Sequence, residues 1–238
     1  ICESNIKIDD LVNFAKKNNL NAIALTDYKL LSGSLEFSIK CQKAGIQPII
    51  GLDIDYVSTL DHSKRVTFLS KSEKGFKNLN ILSTEVNTNN NFSLNTNNIM
   101  DYANGNILIL GGLYSYFEDI SINQKNLNKV LNEIKNLKEI FKNDLFFEYD
   151  PNLKNILLKE VSKKLEIPLF HSFFSFYKST NDFDAMQILH CVKNGEYLQN
   201  STFKINNNYS LDKLVDSSDN SLVLNSQLIA KKINFLIK

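Results

Sequence analysis

Five side chains that could ligate a metal or transfer a proton fall near the predicted ends of short apolar runs. They are Asp27, Asp53, Asp55, Glu148 and His171. Carboxylates gathered at one edge of a sheet could form an octahedral magnesium site, because Mg²⁺ prefers oxygen ligands. Asp and Glu at such positions also commonly cap the following helix or face solvent. The residue types alone leave both interpretations open and favour the second.

Histidine and cysteine are too sparse and too scattered to suggest a hydrolytic metal centre. The sequence has three histidines and three cysteines, with no C-x-x-C, H-x-H or H-E-x-x-H spacing. His62 falls in a polar loop, and His190 falls beside the core face of a predicted helix. No serine has the G-x-S-x-G context of a strained nucleophile. The residue types therefore predict a possible acidic pocket, but they do not identify a catalytic residue in it.

Short apolar runs alternate with amphipathic segments along the chain, and this alternation predicts strands and helices in turn. The predicted strands are residues 22–27, 48–57, 65–70, 106–112, 145–149 and 167–171. The predicted helices are residues 9–19, 34–44, 72–82, 126–142, 153–165, 182–193 and 225–236. The asparagine-rich residues 87–98 predict a polar surface loop. Repeated βα units favour one α/β domain whose parallel sheet is open or closed into a barrel.

Composition narrows the class of protein. The chain is 43% apolar and 22% charged, which is ordinary for a globular protein. Its net charge of +1 gives no basic footprint for nucleic acid. No apolar stretch approaches the length of a membrane span. Three widely separated cysteines suggest no disulfide framework and predict a cytoplasmic location. The opening Ile1-Cys2-Glu3 has no signal-peptide layout, and we expect the chain to be cut from a longer protein.

Several segments, in order along nearly the whole chain, resemble one known family. They are residues 5–12, 21–27, 32–37, 43–51, 71–79, 145–148, 165–169, 182–192, 209–211 and 227–235. Together they are similar to the PHP (polymerase and histidinol phosphatase) domain at the N-terminus of bacterial DNA polymerase III alpha subunits. The asparagine-rich loop is the main part that this resemblance does not cover.

The resemblance implies a fold and a division of the chain. PHP domains of this kind are distorted, TIM-like (β/α)7 barrels with parallel strands and outer helices. We expect residues 1–200 to form the barrel and residues 201–238 to form an exit segment toward a polymerase core.

The resemblance also implies where metal ligands would lie, since active members hold up to three metals at the carboxyl ends of the strands. The family's ligand positions fall on Glu3, Tyr28, Asp53, Arg65, Leu113, Phe174 and Phe176; its H-x-H pair would lie before Ile1. Glu3 and Asp53 keep a carboxylate, but the other five positions have lost a competent ligand. We therefore expect a degenerate metal site, with no catalytic, cofactor-binding or metal-binding residue in this segment. Arg65 is expected to pair with Asp53 or Asp27.

The function implied for the parent protein is DNA-directed DNA polymerisation, with Mg²⁺ in a downstream domain and primer–template DNA bound through the rest of the chain. This segment is expected to be an inactive scaffold that docks the proofreading exonuclease (epsilon) subunit and other replicase subunits. The alternative is a metal-dependent phosphoesterase or 3′–5′ exonuclease that uses Glu3, Asp27, Asp53 and His171. A standalone phosphatase fits less well, and an error-prone alpha paralogue would share this domain.

Overall fold

The chain folds around one mixed seven-stranded sheet that curls into a half-barrel with helices around it. A computed structural model describes residues 3–59, 63–112, 124–150, 152–153, 156–171, 174–203, 209–213 and 220–237. The strands are β1 (Ala22–Tyr28), β2 (Gln47–Val57), β3 (Ser63–Ser70), β4 (Leu94–Asn95), β5 (Asn106–Gly111), β6 (Leu145–Tyr149) and β7 (Leu169–His171). Their order is β1-β2-β3-β5-β6-β7, with β4 beside β2.

The α/β barrel-like fold is confirmed, but the prediction that all strands are parallel is wrong at β3. The pairs β1–β2, β2–β4, β5–β6 and β6–β7 are parallel, whereas β3 is antiparallel to both β2 and β5. The reason is the short connection between Val57 and Ser63. A parallel crossover needs a dozen or more residues, so this connection permits only a hairpin. Within the described residues, no pairing joins β7 to β1.

Seven α-helices surround the sheet in the described part of the chain. They are α1 (Ile8–Lys17), α2 (Ser34–Lys43), α3 (Glu73–Thr88), α4 (Gln124–Phe141), α5 (Ile156–Leu165), α6 (Phe183–Asn194) and α7 (Asn220–Lys232). Five short 3-10 helices cover Ile99–Tyr102, Lys142–Asp144, Thr180–Asp182, Leu198–Asn200 and Leu211–Lys213. None of the described helices is both long and apolar enough to cross a membrane.

The asparagine-rich segment is more ordered than the predicted surface loop. Helix α3 begins at Ser72, whose hydroxyl accepts a hydrogen bond from the Gly75 backbone N–H at 3.2 Å, and runs on to Thr88. The segment then contributes β4, in which Leu94 is only 1% exposed. Leu94 and the partly buried Phe92 therefore hold an otherwise polar connection against the core.

The two faces of the sheet have separate cores. The outer face packs against α3, α4 and α5, with Leu52, Ile54 and Phe68 fully buried. On the inner face, five strand residues pack against Ile229 and Ile233 of the α7 segment; they are Ile49, Leu69, Ile107, Ile109 and Phe146.

Helix α7 lies at the base of the half-barrel, which we define as the edge where β2, β5 and β6 begin. The side-chain amide of Gln47, the first residue of β2, donates to the carbonyl of Ala230 at 2.9 Å and to that of Ile233 at 2.6 Å. Helix α7, which lies in the predicted exit segment, thus covers the inner face of the sheet.

Candidate functional site

Three strands bring polar side chains together at the mouth of the half-barrel, the edge where β1 and β2 end. Successive side chains of a strand point to opposite faces, so Asp53 and Asp55 of β2 share the inner face with Arg65 and Thr67 of β3. The register pairs Asp53 with Thr67 and Asp55 with Arg65. Tyr28, the last residue of β1, is paired with Asp53. Adjacent registers therefore place all five residues in one cluster.

The Arg65 guanidinium occupies the centre of this cluster. It donates to both carboxylate oxygens of Glu3, at 2.9 and 2.8 Å, and to Asp53 Oδ2 at 3.2 Å. Its Cζ atom lies 3.7 Å from the centroid of the Tyr28 ring, which is the geometry of a cation–π contact. Lys193 of α6 also donates to Glu3, at 3.3 Å. The Arg65 side chain therefore fills the space between the carboxylates of Glu3 and Asp53.

Burial and charge act differently on the two carboxylates. Asp53 is 6% exposed, and this burial raises its pKa to about 6, although Arg65 and the Thr67 hydroxyl oppose the shift. Burial also disfavours ionisation of Glu3, but the hydrogen bonds and charges of Arg65 and Lys193 outweigh it and lower the pKa of Glu3 below its usual range. Burial disfavours the Arg65 cation as well, yet its pairing with Glu3 and Asp53 raises the pKa of Arg65 further.

Tyr28 lies at a position where the family resemblance implies a histidine ligand. Its hydroxyl instead forms a hydrogen bond with a carboxylate. The hydroxyl donates to Asp55 Oδ2 at 2.5 Å, and Lys29 Nζ lies 2.6 Å from the same oxygen. Burial, together with the bond to Asp55, raises the pKa of Tyr28. The Tyr28 ring is thus held under Arg65, and one oxygen of Asp55 contacts both Tyr28 and Lys29.

Phe174 and Phe176 lie in an apolar cluster beside the mouth. Their rings are nearly parallel, at 8°, with centroids 6.0 Å apart. Phe176 is buried and also contacts the Tyr209 ring edge-on, with the centroids 6.0 Å apart. Gly112 separates Phe174 from Glu148: a Cβ at Gly112 would lie 3.0 Å from Phe174 Cε2 and 2.5 Å from Glu148 Oε2. Aromatic carbon therefore lines this side of the mouth, close to a buried carboxylate.

Two candidates from the sequence do not join the cluster. Asp27 is exposed on the face of β1 opposite Tyr28, where it neighbours Leu25 and Gly33. His171 ends β7, and its ring lies edge-on to Tyr149 with the centroids 6.4 Å apart. Within the described ranges, the four residues of the alternative hypothesis do not form one metal-binding group. Glu3 and Asp53 share Arg65, while partial burial and the nearby Glu3 charge raise the pKa of Asp27. Leu113 lies outside the described residues.

Sequence reasoning anticipated the pairing of Arg65 with Asp53 but missed two other contributors. Thr67 could have been found, because residues two apart on a strand share a face and Arg65 was already placed there. Lys193 gave no such signal, since its contact with Glu3 joins residues 190 positions apart in the sequence. The stronger pairing of Arg65, with Glu3, was also not anticipated.

The residues at the mouth do not fit the metal cluster that the family resemblance implies. In the described part of the chain, no group of three or more His, Cys, Asp and Glu side chains is placed to hold a metal ion. The Arg65 guanidinium satisfies the two carboxylates and would repel a divalent cation. In the described residues, the carboxylates of the mouth are therefore paired with a side-chain cation instead of being arranged around a metal position.

Comparison with known proteins shows the family to which this half-barrel belongs. The family model described as "PHP domain" matches residues 1–152, so the chain belongs to the PHP domain family. It is 30% identical over 218 residues to DNA polymerase III subunit alpha of Borreliella burgdorferi, a match covering 79% of this chain and 18% of that protein. It is 28% identical over 252 residues to the same subunit of Buchnera aphidicola, covering 97% and 22%.

The chain thus spans about a fifth of the length of these relatives, at 18% and 22%. Among solved structures, it is similar to a putative metal-dependent phosphoesterase from Bifidobacterium adolescentis, with a TM-score of 0.48 and 10% identity. That match covers 71% of this chain and 82% of the other.

Proposed function

We propose that this chain is the N-terminal PHP domain of a bacterial, cytoplasmic DNA polymerase III alpha subunit. The proposal is supported by matches that cover 79% and 97% of the chain in two such subunits. The parent protein is then a DNA-directed DNA polymerase that binds primer–template DNA. Its nucleotidyl transfer, with Mg²⁺, belongs to the roughly four-fifths of those relatives that this chain does not span.

The segment itself acts as a catalytically inactive scaffold. The observation that carries this part is the position of the Arg65 guanidinium between Glu3 and Asp53. With Lys193, the same contacts join the N-terminal segment, β2, β3 and α6 into one unit. Charged groups that once could have held a metal therefore cross-link four parts of the fold.

Docking of the proofreading exonuclease (epsilon) subunit completes the proposal. A separate exonuclease polypeptide would supply the proofreading that an inactive PHP domain does not, and the domain next to the polymerase core is a suitable anchor for it. We expect the purified parent protein to elute together with the exonuclease subunit in gel filtration. Deletion of residues 3–213 should abolish this co-elution, whereas binding that survives the deletion would move the docking site elsewhere.

Metal content tests the inactive scaffold. The purified domain is dialysed against zinc, manganese and magnesium in turn, and bound metal is measured by elemental analysis. Less than about a tenth of an equivalent of each is expected, because the described site lacks a ligand set. The Arg65→Ser variant is the matched control, since it removes the competing cation and leaves both carboxylates. One or more equivalents in the unaltered protein would instead support a metal-dependent phosphoesterase or 3′–5′ exonuclease.

A further inference from the structure

Lysines gather at the base of the half-barrel, opposite the mouth. Helix α5 ends with Lys163 and Lys164, and α7 ends with Lys231 and Lys232. Lys142 lies in the short helix that leads into β6. In βα units the helices run antiparallel to the strands, so the ends of these helices converge on the edge where the strands begin.

Contacts around Asp144 show that these ends are neighbours. The Asp144 carboxylate pairs with Lys71, which precedes α3, and with Lys232 at 3.0 Å. Lys232 also donates to the carbonyl of Asn143 at 2.9 Å. Lys138 near the end of α4 donates to the carbonyl of Leu165 at 2.6 Å, which joins the ends of α4 and α5. The start of α3 and the ends of α4, α5 and α7 therefore meet at one surface.

This surface has more positive charge than its own acidic residues neutralise. We define the basal lysine cluster as Lys71, Lys142, Lys163, Lys164, Lys231 and Lys232. The carboxylates next to it in sequence or space are Glu139, Asp144, Glu160 and Glu166, so six lysines face four carboxylates. Four of the lysines, Lys142, Lys163, Lys164 and Lys231, are exposed, and none of these four has an ion pair within the described ranges.

Compensation of helix dipoles explains only part of this pattern. A cation in the last turn stabilises a helix, and the effect fades beyond that turn. One lysine at each helix end would serve that purpose, yet α5 and α7 each end with two. At the opposite edge the carboxylates are balanced, because Glu3, Asp53 and Asp55 pair with Arg65, Lys193 and Lys29. The net charge of +1 therefore does not reveal the local excess of lysine at the base.

We propose that the basal lysine cluster binds the phosphodiester backbone of duplex DNA. Lysines together with an amide side chain, here Asn143, are the groups that contact phosphates without reading sequence. No exposed aromatic ring lies among them in the described part of the chain, so the surface lacks the stacking platforms typical of single-strand binders. The inference rests on charge placement alone and does not depend on the proposed polymerase function.

The test measures binding of the full 238-residue chain to a fluorescent duplex of about 20 base pairs by anisotropy. We expect a dissociation constant of about 1–100 µM at low salt, weakening at least about tenfold between 50 and 200 mM KCl. The variant Lys163→Glu/Lys164→Glu should weaken binding at least about fivefold and flatten the salt dependence, because each lost phosphate contact lowers the slope by about 0.9.

Lys129→Glu/Lys135→Glu on α4 is the matched control, since it changes the net charge equally on exposed residues away from the base. It should change binding less than about twofold. Circular dichroism shows whether Lys163→Glu/Lys164→Glu is folded. If it is not, Lys163→Gln/Lys164→Gln is used in its place. Equal effects of test and control variants would overturn the proposal. So would tighter binding to single-stranded DNA, or to a poly-glutamate peptide of matched charge, which would indicate an acidic protein as partner.

Discussion

Arg65 shows how one side chain can replace the charge balance of a metal site. Its planar guanidinium donates in two directions at once, to both oxygens of Glu3 and to Asp53. A fork of fixed geometry is needed for this, and a lysine ammonium at the same place would not reproduce it. The Tyr28 ring lies against the flat face of the Arg65 guanidinium and takes the place of water there. The cluster is therefore a structural unit whose members depend on one another.

Removal of the Arg65 charge should destabilise the fold. In Arg65→Met, Glu3 and Asp53 face each other without their cation, and we expect the free energy of unfolding to fall by about 2–4 kcal/mol. Urea unfolding at neutral pH measures the change. Lys77→Met is the control, because its ion pair with Glu73 is 68% and 72% exposed. The control should lose less than about 1 kcal/mol; similar losses in both variants would argue against a structural role for Arg65.

Asp53 should give the stability a distinct pH dependence. Its pKa in the fold is about 6, above an ordinary 3.8, so its favourable contribution is present below pH 4 and is lost as the pH rises through 6. Asp53→Asn removes this titration. The stability of the variant relative to the unaltered chain should therefore increase by roughly 2–3 kcal/mol between pH 4 and pH 7. Urea unfolding across that range measures it, and a constant difference would contradict the prediction.

At the scale of residues, the sequence indicated which side chains carry charge but less about which of them contact each other. The chemistry of Arg65 beside acidic positions was enough to predict a pairing with Asp53 or Asp27, and the structure shows Asp53. The choice among carboxylates depends on strand register, and a shift of one residue moves a side chain to the other face. Asp27 illustrates this, because it adjoins Tyr28 in sequence but points away from the cluster.

At the scale of elements, periodicity located the strands and helices well but not their directions. The prediction for β6 matches its observed bounds, Leu145–Tyr149. The direction of β3 was missed, because it depends on the length of the connection after Val57 rather than on the strand's own pattern. The two-residue β4 is too short for any periodicity to reveal it. Helix α7 was predicted, but its position on the inner face comes from long-range packing.

The packing of α7 can be tested with two neighbouring residues. Ile229 is 4% exposed against the inner face, whereas Leu228 is 42% exposed on the same helix. Ile229→Ala should lower the free energy of unfolding by about 2–4 kcal/mol, because it removes buried methylene groups and leaves a cavity. Leu228→Ala should lower it by less than about 1 kcal/mol. Chemical unfolding of both variants measures the difference, and equal losses would place α7 elsewhere.

At the scale of the whole molecule, the half-barrel is closed by different means at its two ends. The mouth is held by charge, through Arg65 and its carboxylates, while the base is covered by the apolar side of α7. The base also has more lysines than carboxylates, and the total composition does not show this local excess. Sequence reasoning could therefore predict the class of fold, but not the distribution of charge over the surface.

We expect the whole fold to depend on its last helix, α7. A chain that ends at Lys213 exposes five large apolar side chains of the inner face, Ile49, Leu69, Ile107, Ile109 and Phe146. Each loses up to about 1.5–3 kcal/mol of burial, and the total is comparable with the roughly 5–15 kcal/mol that stabilises a typical domain. We expect this chain to bind the dye ANS and to lose its cooperative thermal transition, as a molten globule does. A synthetic peptide of residues 214–238, added in excess, should restore the transition. If the truncated chain instead unfolds cooperatively without the peptide, the inner face is stable on its own and α7 is only an appended helix.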